Sequence, residues 1–154
     1  MIRVVDGAVT SELRRSVLRP TWPPGTRMHG DDDPAAVHLA ALTDDGVVVG
    51  ACVLLQRPFA GRPQLPAAWQ LRGMATAAEQ RGQGIGTSLV EAAVVHVTGQ
   101  GGRLVWCQAR TAAVAFYTRT GFVPHGAEFV QAETGLAHQL MYRELFGHPG
   151  SSDQ

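Results

Sequence analysis

Met74-Ala75-Thr76-Ala77-Ala78-Glu79-Gln80-Arg81-Gly82-Gln83-Gly84-Ile85-Gly86-Thr87 is the stretch whose reading decides the fold. An apolar strand ends, a short turn follows, and a helix begins among glycines. The first backbone N–H groups of a helix have no partner inside it. They also carry the positive end of the helix dipole. Glycines remove the Cβ atoms that would keep a ligand away. Such a turn suits a phosphate or diphosphate. A phosphate loop needs Gly-x-x-x-x-Gly-Lys, and the chain contains no lysine. A dinucleotide turn needs Gly-x-Gly-x-x-Gly, whereas Gly82, Gly84 and Gly86 are spaced one residue short. It also needs an acidic residue about 20 positions on, and none lies between Glu91 and Glu128. The pattern that fits without a gap is Arg/Gln-x-x-Gly-x-Gly/Ala, on Arg81, Gly84 and Gly86.

Working outward, Trp69 to Ala75 reads as the strand entering the turn, and Gly84 to Thr98 as the helix leaving it. Ile85, Leu89, Ala93 and Val97 form its buried stripe. Upstream, Val37 to Leu42 and Val47 to Leu55 are two β-rich runs around Asp44-Asp45-Gly46, a hairpin signal. Ile2 to Asp6 reads as a first strand. A helix capped by Thr10 or Ser11 runs to Leu18, with Leu13, Val17 and Leu18 as its apolar face. Two Pro/Gly-rich loops cover 19–35 and 57–66. Downstream, Leu104 to Cys107 is a strand and Thr111 to Thr120 a helix capped by Thr111. Two last strands start at Phe122 and at Leu136. The order β-α-β-β-β-α-β-α-β-β describes a mixed α/β sandwich in one domain, 1–146, followed by a flexible tail, 147–154.

Bulk composition narrows the function. The 154 residues carry 13 basic and 13 acidic side chains, so no charge excess points to nucleic acid or an anionic membrane. All the basic residues are arginine, which rules out Schiff-base chemistry. Cys52 and Cys107 lie far apart in apolar runs and read as buried thiols of a reducing compartment. No signal peptide or membrane span is evident, which suits a cytoplasmic protein. No His or carboxylate spacing suggests a metal.

A second segment, Ala113-Val114-Ala115-Phe116-Tyr117-Thr118-Arg119-Thr120-Gly121-Phe122, stands one helix and one strand beyond the first. With Arg81-Gly82-Gln83-Gly84-Ile85-Gly86 behind Leu71-Arg72-Gly73-Met74-Ala75, it resembles the GNAT superfamily of N-acetyltransferases over nearly the whole chain. The resemblance implies a mixed, mostly antiparallel sheet flanked by helices, with two central strands splayed apart. It implies acetyl-CoA as co-substrate, no metal, an amine of a small molecule or peptide as acceptor, and a homodimer by family habit. Arg81, Gly82, Gln83, Gly84, Ile85, Gly86 and the Thr87 hydroxyl would hold the diphosphate. Backbone groups of Met74, Ala75 and Thr76 would hold the pantetheine arm, with the Met74 N–H on the thioester oxygen. Tyr117 matches the general acid that protonates the leaving thiolate. The base stays open between Glu128, His138 and the cluster His29, Asp31, Asp32 and Asp33, the last read as a solvated loop. Arg110 stands where many members carry a cofactor-contacting Asn. The loop 19–35 replaces a second helix that usually shapes the acceptor pocket, so the acceptor does not follow. A non-catalytic CoA-binding module on the same fold is the alternative, which Tyr117 argues against.

Overall fold

The computed structural model describes residues 1–28 and 31–145. Position 29, one of the candidate bases, and the expected tail 147–154 lie outside the described residues. The elements are β1 (Ile2–Val5), α1 (Gly7–Leu18), β2 (Val37–Leu42), β3 (Val48–Gln56), β4 (Ala68–Thr76), α2 (Ile85–Gly99), β5 (Leu104–Arg110), α3 (Val114–Arg119), β6 (Val123–Val130) and β7 (Ala137–Glu144). They follow the expected order. The seven strands form one sheet in the order β1-β2-β3-β4-β5-β7-β6. The chain divides into two compact units, one of Met1–Gln56 with Leu71–Val95, the other of Arg57–Gln70 with the residues from His96 on.

In the first unit, β1, β2 and β3 pair antiparallel. The hairpin closes at Asp44–Gly46, where Gly46 takes a φ of 83° and Thr43 Oγ1 accepts from the Val47 N–H at 3.0 Å. Helix α1 corrects the sequence reading at both its start and its face. It begins at Gly7, not after Thr10, because the Asp6 carboxylate accepts from the Ala8 N–H at 3.0 Å and caps it. Its buried residues include Gly7, Thr10 and Arg14, spaced three and four apart, while Leu13, Val17 and Leu18 are only half-buried. The face is thus a small and polar stripe around a buried guanidinium, which apolar periodicity does not reveal.

Helix α2 buries Leu89, Val90 and Ala93 in this unit, with Ile85 half-buried. Gly50 on β3 makes room for it. A Cβ there would stand 2.6 Å from Ile85 Cγ2 and 3.0 Å from Leu89 Cδ1. The close approach fixes where the helix begins, and so where its free N–H groups lie.

In the second unit, Ala68–Gln70 of β4 pair in parallel with Leu104–Trp106 of β5. The parallel pairing runs from Ala68↔Leu104 to Gln70↔Trp106. Strand β5 runs to Arg110, three residues beyond the expected Cys107, because β7 pairs with its whole length from Leu104↔Glu144 to Arg110↔His138. Phe59, Ala68, Leu104 and Trp106 form the core, with Leu65, Leu140 and Tyr142 packed on it. The Trp106 indole N–H donates to the Arg57 carbonyl at 3.0 Å. Residues 111–120 also depart from expectation. A single 3-10 turn, Thr111–Ala113, precedes α3, and neither start has a side-chain cap. The Thr111 hydroxyl donates instead to the Ala137 carbonyl at 3.1 Å.

His38 on β2 is 5% exposed, and a Cβ on Gly7 would stand 2.7 Å from its Nε2. Burial, helped by the positive charge of Arg14, lowers its pKa below the ordinary 6.5, against the smaller opposing pull of Asp31 and Asp6. The unfolded chain therefore takes up this proton first. Stability is lost as pH falls from about 6.5 toward the lower folded value. Urea midpoints of wild type and His38→Leu between about pH 8 and about pH 5 should diverge in slope below about 6.5. Parallel slopes would show that His38 is not the titrating group.

Candidate active site

The turn after β4 is built by conformation rather than by crowding. Gly82 and Gly84 adopt φ of 81° and 80°, the left-handed region that glycine enters without strain. A Cβ on either would meet nothing within 4 Å. Ser88 is the first residue of the helix to reach back, its N–H donating to the Gly84 carbonyl at 3.0 Å. Among the described residues, the N–H groups from Gly82 through Thr87 find no acceptor in the protein. No acidic side chain sits in the first turn of α2. Arg81, Gln83 and Thr87 are exposed beside it. An open run of donors at a positive helix end fits a diphosphate.

The strand leading in is held firmly. Ala75 is buried and Met74 and Thr76 are half-buried. The Ala77 N–H donates to the Val49 carbonyl at 2.9 Å and fixes the end of the strand. Thus the first unit gathers Met74, Ala75, Thr76 and the residues from Arg81 to Thr87, as expected of a single continuous segment.

The second unit carries Tyr117, Glu128, His138 and Arg110. Tyr117, in α3, is 6% exposed. Its ring packs edge-on against Phe116 at 5.0 Å and Phe122 at 5.3 Å. The Phe122 N–H donates to the Tyr117 carbonyl at 3.0 Å, so the Gly121-Phe122 turn locks the helix end. Glu128 is exposed on β6, in a strand whose register with β7 shifts between His125 and Phe129. The Gln139 amide donates to the Gly126 carbonyl at 2.9 Å within that shift. His138 is buried, its Nδ1 2.8 Å from the Leu136 carbonyl. That contact puts the proton on Nδ1. Arg110 is half-buried and stands opposite His138 in the β5–β7 register.

Of the aspartate run, read as a solvated loop, Asp31 is the exception. Asp31 is buried, and its Oδ1 accepts from Arg14 Nη1 at 3.0 Å. Its Oδ2 accepts from the Met28 N–H at 3.2 Å. Both oxygens are engaged within the protein. Asp32 is exposed and pairs with Arg27 at 2.8 Å, and Asp33 Oδ1 accepts from the Ala35 N–H at 2.9 Å. Sequence reasoning missed Arg14 altogether. The available signal was the spacing Gly7, Thr10, Arg14, a stripe too small to be apolar surface.

Neither cysteine is available for chemistry. Burial raises the Cys52 thiol to about 12 and pushes Cys107 up as well. Both should resist iodoacetamide at about pH 8 in the folded protein and react in urea. Rapid alkylation of the native chain would contradict their enclosure.

The sequence model of the Acetyltransferase (GNAT) family matches residues 9–122. A Bacillus subtilis (strain 168) protein named as an uncharacterised N-acetyltransferase, YitI, is 28% identical over 147 residues, 94% of this chain and 95% of that one. Among solved structures, the IAA acetyltransferase from Bacillus cereus ATCC 14579 superposes with a TM-score of 0.70 at 18% identity, over 94% of this chain and 99% of that one. An aminoglycoside 6'-N-acetyltransferase complexed with coenzyme A does so with a TM-score of 0.69 at 18% identity, over 97% and 99%. At these identities the structural likeness speaks for the fold.

Proposed function

The chain belongs to the GNAT acetyltransferase family and is an acetyl-CoA-dependent N-acetyltransferase, and on that premise we propose that it transfers the acetyl group to a primary amine by direct attack. The observation that carries the proposal is the run of unengaged N–H groups from Gly82 to Thr87. In this reading those amides and the Thr87 hydroxyl bind the diphosphate of CoA. The backbone of Met74, Ala75 and Thr76 aligns the pantetheine arm as an added strand would be aligned. The Met74 N–H donates to the thioester oxygen as negative charge develops on it.

The acceptor must first lose a proton, since a free amine is protonated near neutral pH. Its lone pair then forms the new C–N bond at the carbonyl carbon. The C–S bond breaks, the departing sulfur takes the Tyr117 proton, and the second proton lost by the acylated nitrogen restores the Tyr117 phenol. A free phenol is protonated at neutral pH and so has a proton to donate. Glu128, exposed on β6, is the candidate to receive the amine proton through water. His138 is the less suited, because its protonated Nδ1 is held by the Leu136 carbonyl and only Nε2 could accept. Arg110 is assigned to the cofactor or the acceptor.

Two variants separate binding from chemistry. Gly84→Asp keeps a residue type that tolerates the left-handed backbone, yet sets a carboxylate where the diphosphate would lie. CoA affinity measured by calorimetry should fall ~10-fold or more, equivalent to about 1.4 kcal/mol. Tyr117→Phe should leave CoA affinity near wild type and lower kcat ~100-fold. An unchanged CoA affinity in Gly84→Asp, or an unchanged kcat in Tyr117→Phe, would overturn the corresponding assignment.

A further inference from the structure

Arg14 is 1% exposed, and its guanidinium is only partly used. Nη1 donates to Asp31 Oδ1 at 3.0 Å and touches Met28 Sδ at 3.7 Å, and Nε donates to Thr10 Oγ1 at 3.3 Å. Nη2 is buried and has no hydrogen-bond partner among the described residues. An unmet donor on a buried cation is costly, and folded proteins keep few of them. Arg14 also lines a cavity of about 10 Å³, together with Asp31, Arg72, Gly73, Val53 and Leu55. That is room for about one water molecule, or for one oxygen atom of a ligand. Arg14, Asp31 and Arg72 are the charged residues of the lining, and Asp31 already has both oxygens engaged.

Strand β4 is shaped around this guanidinium. Gly73 takes a φ of 60°, and a Cβ there would stand 3.1 Å from Arg14 Cδ and 3.3 Å from Nη1. Gly73 immediately precedes Met74, and consecutive Cα atoms are about 3.8 Å apart. The lining therefore includes the residue next to the N–H assigned to the thioester oxygen.

From the unpartnered Nη2, the cavity and the close approach of Gly73, we infer that Arg14 is a specificity residue that receives a carboxylate oxygen of the acceptor, so that the preferred substrate is an amine carrying a carboxylate a few bonds away, such as an amino acid. The inference rests on the acetyl-transfer reading for where the amine lies. A charge-assisted bond to a fixed guanidinium selects an anionic oxygen over a neutral one. Asp31 holds Nη1 in line and leaves Nη2 as the recognition atom. The same geometry disfavours polyamines, whose second cation would meet the guanidinium.

The test uses matched acceptors, common L-amino acids against the amines formed by removing their carboxylate, with CoA release as the readout. Wild type should prefer the carboxylated member ~10-fold or more in kcat/KM. Arg14→Met combined with Asp31→Asn removes both buried charges together, so neither is stranded. It should abolish the preference mainly through KM while retaining turnover of the decarboxylated amine. Equal rates for the pairs in wild type, or a preference that survives the double substitution, would overturn the inference. Should the double variant fail to fold, calorimetry on CoA-bound wild type decides. N-acetylamino acids must bind more tightly than the N-acetylamines lacking the carboxylate, and equal binding refutes the subsite. Failure to bind CoA, or to acetylate any amine, counts against the proposed reaction instead, and calorimetry of the same carboxylated and decarboxylated pairs on the CoA-free protein then reads the Arg14 contact by itself.

Discussion

A helix cannot satisfy its own first N–H groups, and this fold turns that deficit into a binding surface. The glycines at 82 and 84 hold the backbone in left-handed conformations that leave those donors open. Among the described residues, nothing accepts from them. The remainder of the first unit keeps this arrangement in position. Gly50 admits α2 to van der Waals contact with β3, and the Ala77 N–H ties the end of β4 to Val49. Removing the close approach at Gly50 would shift the helix start, and with it the donors.

The elements were legible where one physical signal dominated. The hairpin at Asp44–Gly46, the buried stripe of α2 and the glycine turn each announce themselves through turn chemistry or periodicity. The second half of β5 did not. Gln108 and Arg110 alternate with a buried Ala109, and only the pairing with β7 carries the strand on to Arg110. The cap of α1 was misplaced because Thr10 and Ser11 are good capping residues, but Asp6 reaches the free N–H first. At residues 111–120 local preference for a capped helix lost to the bond between the Thr111 hydroxyl and Ala137.

The candidate site was legible in the part that is contiguous in sequence. Residues 74–87 belong to one strand, one turn and one helix, so their neighbourhood is fixed by local geometry. The pairing of Arg14 with Asp31 joins residues 17 positions apart through a proline-rich loop, and no local pattern encodes it. A run of three aspartates reads as solvated surface. One of the three is buried, because a guanidinium on the facing helix neutralises it. Charge partners distant in sequence are invisible until the fold brings them together.

The buried cation at position 14 is a guanidinium and not an ammonium, and the difference matters in an enzyme that acylates nitrogen. A lysine in the same cavity could shed its proton, since burial depresses ammonium pKa values, and would then present a lone pair beside an activated carbonyl. The protein would become its own acceptor and block its cavity with an amide. Arginine stays protonated at any physiological pH, its lone pairs delocalised over three nitrogens. On the reading proposed above, it would hold an anion near the acyl donor through repeated turnovers without being modified by the chemistry.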